Sequence, residues 1–116
     1  DINLKDPKYK KLSDELLYFV NHVCVDVFSF ENTNPEISLM WGTATPKGGS
    51  VHRHYHPNSI VSGVFHFDDD LSSIAFERGH RSNFNLKLNY SEYNIQNCDE
   101  YNFSTDKNTL LLFPSQ

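Results

Sequence analysis

The stretch His52-Arg53-His54-Tyr55-His56-Pro57-Asn58-Ser59-Ile60-Val61-Ser62-Gly63-Val64-Phe65-His66-Phe67 holds four of the chain's six histidines, and its reading decides both fold and chemistry. The first three alternate with Val51, Arg53 and Tyr55, which is the period-two texture of an extended strand over residues 51–56. On a strand, side chains at i and i+2 share a face with Cα atoms about 6.5–7 Å apart. Two imidazoles so placed can close on one metal ion through bonds of about 2.0–2.1 Å. Three cannot do so easily, because the outer pair would stand about 13 Å apart at Cα. A single ion would therefore take two neighbours and find its other ligands on another strand. The plain alternative is a solvent-facing strand on which His serves as any polar residue would. Pro57-Asn58-Ser59 then breaks the segment with turn chemistry, and a second strand-like run follows at 60–67.

Working outward, residues 7–22 predict one amphipathic helix. Asp6 can cap it and Pro7 suits its first turn. Tyr9, Leu12, Leu16, Phe19, Val20 and Val23 recur at spacings of three and four, one stripe for packing on a sheet. Beyond the helix, β-type runs predict strands at 23–30, 37–45, 51–56, 60–67, 84–90 and 108–113. Breaks fall at Asn32-Thr33-Asn34-Pro35, Pro46-Lys47-Gly48-Gly49, Pro57-Asn58-Ser59 and Asp68-Asp69-Asp70. The strand at 84–90 is marked by Phe84, Leu86, Leu88 and Tyr90 alternating with polar residues. The last one, with Leu110-Leu111-Leu112-Phe113, is apolar enough to predict burial on both faces and a central position. Many short strands after one leading helix predict a mainly all-β fold, a sandwich or jelly-roll barrel. The Asp68-Asp69-Asp70 run lacks the calcium-loop pattern and reads as a solvated turn.

Composition removes several function classes. With 116 residues and 13.4 kDa there is room for one small domain, residues 1–116, in which 1–36 supply the helix and a supporting strand and 37–116 the barrel core. A net charge of -5 and only three arginines, Arg53, Arg78 and Arg81, disfavour nucleic acid as a partner. No apolar run approaches the roughly 18–20 residues of a membrane-crossing helix, and no signal peptide opens the chain, so a cytoplasmic setting is expected. Cys24 and Cys98, 74 positions apart, read as two buried thiols and not as a disulfide framework or zinc knuckle. The missing initiator Met and the stop just after Phe113-Pro114-Ser115-Gln116 lead us to expect a fragment, whose unpaired strand edges would favour a homodimer.

The segment from His54 to Phe67 resembles the H-x-H-P-N-S-x-x-S-G-V-Y-Y block of a family of 2-oxoglutarate- and Fe(II)-dependent oxygenases common in phages and marine bacteria. Ser38-Leu39-Met40-Trp41-Gly42 looks like that family's strand ahead of the metal loop, and Leu110-Leu111-Leu112-Phe113-Pro114-Ser115 looks like its L-L-L-F-P-S strand end. The three blocks stand in family order over about residues 38–116, and the arrangement is distantly similar to the prolyl 4-hydroxylases. The resemblance implies a cupin-like double-stranded β-helix, an oxidoreductase of the dioxygenase type, Fe(II) as the metal, and 2-oxoglutarate and O2 as cosubstrates.

Carried over by residue, the resemblance makes His54 and His56 metal ligands, His56 standing where many relatives have Asp. Phe65 and His66 fall where the tyrosine pair falls, which implies contact with 2-oxoglutarate. His52, Asn58, Ser62 and Trp41 are candidates for supporting positions around the metal, Asn58 by shaping the turn and Ser62 by packing. A third metal histidine and an arginine for the distal carboxylate follow F-P-S in relatives, so residues 1–116 by themselves are expected to be inactive. His80, in Glu77-Arg78-Gly79-His80-Arg81, reads as a surface loop residue and no substitute for that histidine. Two alternatives stay open. Gly49-Ser50-Val51-His52-Arg53-His54 also has the character of a cupin metal strand without 2-oxoglutarate, although the Glu expected a few residues later is absent. The other is a non-catalytic β-barrel binding module. The prime substrate is not legible.

Overall fold

Asp6 begins the helical segment as expected: its carboxylate accepts a hydrogen bond from the Lys8 N–H at 3.0 Å, and Pro7 opens a 3-10 turn, Pro7–Tyr9. Helix α1 continues over Lys10–His22. Its half-buried residues are Leu12, Ser13, Leu16, Leu17 and Val20, while Phe19, placed on the stripe by spacing, is 50% exposed. The reason is angular, since residue 19 lies about 60° to one side of Leu16 on a 3.6-residue period and Val20 only about 40° to the other. The exposed pairs Lys10–Asp14 and Lys11–Glu15 each add at most a few tenths of a kcal/mol, about 0.2–0.5.

The predicted strand at 23–30 is corrected. Residues Val23–Val27 form a π-helical turn that prolongs α1, with the Phe28 N–H donating to the Val23 carbonyl at 3.0 Å. Val, Cys and Val carry β-type propensity, but a helix already nucleated extends for only a few tenths of a kcal/mol per such residue, roughly 0.5. The apolar stripe gives the mechanism away: Leu16, Val20, Cys24 and Phe28 recur at a strict spacing of four, and Cys24 is only 4% exposed. The end is closed by Ser29, at φ 55°, and by the Phe30 N–H reaching back to the Cys24 carbonyl at 2.9 Å.

The computed structural model describes residues 1–32, 34–68, 73–77 and 89–115. The Asp69–Asp70 part of the acidic turn, His80 with its loop, and the predicted strand at 84–90 up to Leu88 lie outside the described residues. The chain divides into two compact units, Asp1–Gly63 with Leu112–Gln116, and Val64–Leu111.

The described residues hold four strands: β1 (Val61–Phe65), β2 (Ser73–Glu77), β3 (Glu100–Ser104) and β4 (Leu110–Pro114). They make two two-stranded sheets, β1 with β4 and β2 with β3. Bonds from Ser115 N–H to the Ile60 carbonyl and from His66 N–H to the Thr109 carbonyl bracket β1 and β4 and set them antiparallel. Thus 60–67 and 108–113 are correctly read as strands, the first shortened at both ends and the second displaced to 110–114. β4 is half-buried along Leu110–Phe113 and pairs with β1, so the expected central position, buried on both faces, is not what the described residues show. β2 and β3 were not anticipated, although Ile74 and Phe76 alternate with Ser73, Ala75 and Glu77. Their register sets Ile74 opposite Phe103 and Phe76 opposite Tyr101, with the Phe76 and Phe103 rings edge-on at 5.6 Å.

Residues 37–45 and 51–56, both expected as strands, pair with no neighbour of strand type among the described residues. Propensity describes fit to a pleated surface, and a strand exists only where a second chain segment completes the ladder. Their turns are nonetheless well placed. Gly48, at φ 79°, occupies the third position of a turn closed by Gly49 N–H to the Pro46 carbonyl at 2.8 Å. Asn58, at φ 61°, provides the left-handed residue between the histidine segment and β1. In all, the described fold is a mainly-β arrangement of small antiparallel sheets with one N-terminal helix.

Candidate metal centre

Although 51–56 is not a paired strand, its side chains do alternate. The His54 and His56 rings meet at 4.8 Å between centroids, and Arg53 Nη2 approaches the Tyr55 hydroxyl at 3.5 Å. A metal bound through a ring nitrogen at 2.0–2.1 Å lies roughly 3.2 Å from the imidazole centroid, so two rings on adjacent positions of an octahedron would be about 4.5 Å apart. The observed 4.8 Å suits that arrangement.

His54 is half prepared by its own backbone. Its Nδ1 lies 2.8 Å from the His52 carbonyl oxygen, which can only accept, so Nδ1 carries the proton and Nε2 keeps the lone pair. Metal-binding histidines are commonly held by such a bond from the other ring nitrogen. His52 therefore contributes through its main chain, a role that no side-chain pattern could have indicated.

His56 is the one half-buried residue between Val51 and Asn58. The Trp41 indole stacks on its face, with centroids 6.0 Å apart and planes 22° off parallel. Phe113 of β4 meets it edge-on at 6.0 Å. Burial among these rings, and secondarily the positive charge His54 can carry, lowers the His56 pKa below the ordinary 6.5. Both causes keep the imidazole neutral, the form that binds metal. The consequence for stability has a definite sign. The unfolded chain takes up this proton first, so stability is full above about pH 6.5 and declines as pH falls toward the lower folded value. Urea midpoints at about pH 7.5 and about pH 5.5 should show the loss, and His56→Phe should reduce it.

The two flanking sequence blocks meet directly. The Ser62 and Ser115 hydroxyls are 2.8 Å apart across 53 positions of sequence, and Ser115 is 7% exposed. The Ser59 hydroxyl donates to the Val61 carbonyl at 2.8 Å, locking the start of β1. Ser62→Ala is expected to cost about 1–2 kcal/mol by leaving a buried hydroxyl unanswered, and adding Ser115→Ala should recover part of it. A double-mutant cycle by urea denaturation measures this, and strictly additive losses would refute the coupling.

Phe65 and His66 belong to the other unit. Phe65 packs edge-on against Phe67 at 4.7 Å, and half-buried His66 uses its backbone to bond Thr109 at 3.0 Å and Asn108 at 2.7 Å. Within the first unit, an open concavity of about 340 Å³ is lined by Phe28, Phe30, Ser59, Ile60, Pro114 and Ser115. None of its lining residues is titratable. Among the described residues, no group of three His, Cys, Asp or Glu side chains gathers into a complete metal site. What the chain does bring together is two neighbouring imidazoles, those of His54 and His56. Phe113 is the contact that sequence reading passed over, although it lies in a block already quoted, because nothing local joins residue 113 to residue 56.

Two adjacent imidazoles, one held through Nδ1 by a carbonyl, have the chemistry of donors to a non-haem metal. Residues 39–116 match the sequence profile of the family described as "Putative 2OG-Fe(II) oxygenase", and the chain belongs to that family. Membership implies Fe(II) as the metal and 2-oxoglutarate and O2 as cosubstrates. No curated protein and no solved structure matches the chain.

Proposed function

We propose that this chain carries the His54–His56 arm of the Fe(II) site of a 2-oxoglutarate-dependent hydroxylase, built on the double-stranded β-helix of its family. The observation that carries the reading is the 4.8 Å approach of the two rings, with His54 Nδ1 already committed to the His52 carbonyl. His54 and His56 would hold the metal. When bound, Fe(II) with 2-oxoglutarate and O2 supplies oxidative decarboxylation to succinate and hydroxylation of a C–H bond.

The chain's own residues orient and shield. The His52 carbonyl holds the proton on His54 Nδ1, Trp41 and Phe113 keep water from two sides of His56, and Asn58 reverses the backbone so that β1 leaves the site at once. Two neutral imidazoles place no negative charge on the metal, whereas the usual facial triad includes a carboxylate. The resemblance also assigns Phe65 and His66 to the 2-oxoglutarate pocket, and the third ligand and the arginine to positions after Phe113-Pro114-Ser115.

The first test is titration of the chain with Co(II), a spectroscopic stand-in for Fe(II), followed by calorimetry and visible absorption. One ion per chain is expected, and no saturable binding overturns the proposal. Succinate release from 2-oxoglutarate with Fe(II) in the natural protein then tests the reaction. Metal binding without 2-oxoglutarate consumption would favour the cupin alternative.

A further inference from the structure

The chain's single tryptophan stacks on half-buried His56, and that pairing goes beyond what a two-ligand reading requires. We propose that Trp41 is a positioning residue that fixes the plane of the His56 imidazole, so that the ring's edge, and not its face, is presented beside His54. The proposal rests on the reading of His56 as a ligand and adds the device that aims it.

An imidazole binds metal through a lone pair lying in the ring plane, so rotation about the last side-chain bond decides whether the lone pair meets the ion. Backbone bonds do not restrain that rotation, and contacts of the ring with Trp41 and Phe113 do. The indole lies 22° from parallel, covering one face and leaving the edges uncovered by it. The Phe113 ring stands at 68° to the imidazole and 6.0 Å away, opposing tilt out of that plane. Trp41 is itself anchored nearby, since the Met40 carbonyl accepts the Ile2 N–H at 2.8 Å, and its 45% exposure leaves room for the indole beside the imidazole without further burial. Stacking of this kind suits a ligand because it uses the π face, which coordination does not need.

The inference can be tested without turnover. In the metal-free chain, ring currents from Trp41 should shift the His56 ring protons upfield relative to those of His52, and Trp41→Leu should abolish that shift while Trp41→Phe preserves part of it. Because Trp41 is the only tryptophan, its emission reports this site alone, and Co(II) should quench it in the wild type but not in His56→Ala. Co(II) affinity should fall about tenfold in Trp41→Leu, the lower range for losing a group that orients a metal ligand, and recover in Trp41→Phe. Circular dichroism confirms that each variant folds, and the phenylalanine variant keeps the test open should leucine disturb folding. His56 resonances unmoved in Trp41→Leu, or wild-type Co(II) affinity in that variant, overturn the positioning role. Ring-current shifts as expected with no Co(II) binding by the wild type would instead overturn the metal reading and leave the stacking in place.

Discussion

Alanine at either His54 or His56 is expected to eliminate saturable Co(II) or Fe(II) binding, and with it succinate release, while alanine at His52 leaves both near wild type. Losing a group that merely supports a ligand costs roughly 10–100-fold in affinity, and removing a ligand itself should cost more. On the proposed reading each ring supplies half of the donor set that this segment offers, so that the pair at 4.8 Å, and not either member, would be the binding unit. His52→Ala is the discriminating control. What His52 gives His54 is a main-chain oxygen at 2.8 Å, which alanine retains. Equal losses in all three variants would mean that the histidines act as a diffuse polar surface. Undiminished binding in His54→Ala and His56→Ala would remove the assignment altogether.

Cys24→Asp is expected to destabilise the N-terminal unit by about 3–5 kcal/mol, the cost of an uncompensated buried charge. Among the described residues Cys24 is the only apolar side chain that is buried, at 4% exposure, and it sits on the stripe formed by Leu16, Val20 and Phe28. With so few fully enclosed positions, losing this one should be felt over the whole helical segment. Loss of helical circular dichroism at lower urea concentration measures it. Cys24→Ala, which keeps the site apolar, should cost far less, and equal effects of the two would show that charge is not the cause.

Much of this could be read from the chain, and the failures share one physical origin. The helix start at Asp6-Pro7, the turns at Gly48 and Asn58, and the apolar runs of β1 and β4 are local signals, and each was found where expected. Strand readings at 37–45 and 51–56 failed because a strand depends on a distant partner that no local pattern specifies. The 23–30 reading failed through propensity, although the spacing of four from Leu16 to Phe28 was there to be counted. At the candidate site, His-x-His made the contact between the His54 and His56 rings foreseeable. The stacking of Trp41 and the edge of Phe113 depend on how the chain returns on itself. The His52 carbonyl is backbone, on which side-chain identity is silent.

The hydroxyl bond between Ser62 and Ser115 has a kinetic side. It can form only after more than fifty intervening residues have been brought end to end, and such closure spends chain entropy before any contact rewards it. The helix, by contrast, needs only near neighbours and can assemble in about a microsecond. Phe113 is brought to His56 by the same returning segment, so that contact also waits on the closure. A chain held short of β4 would keep Trp41 beside His56 but lack the Phe113 edge.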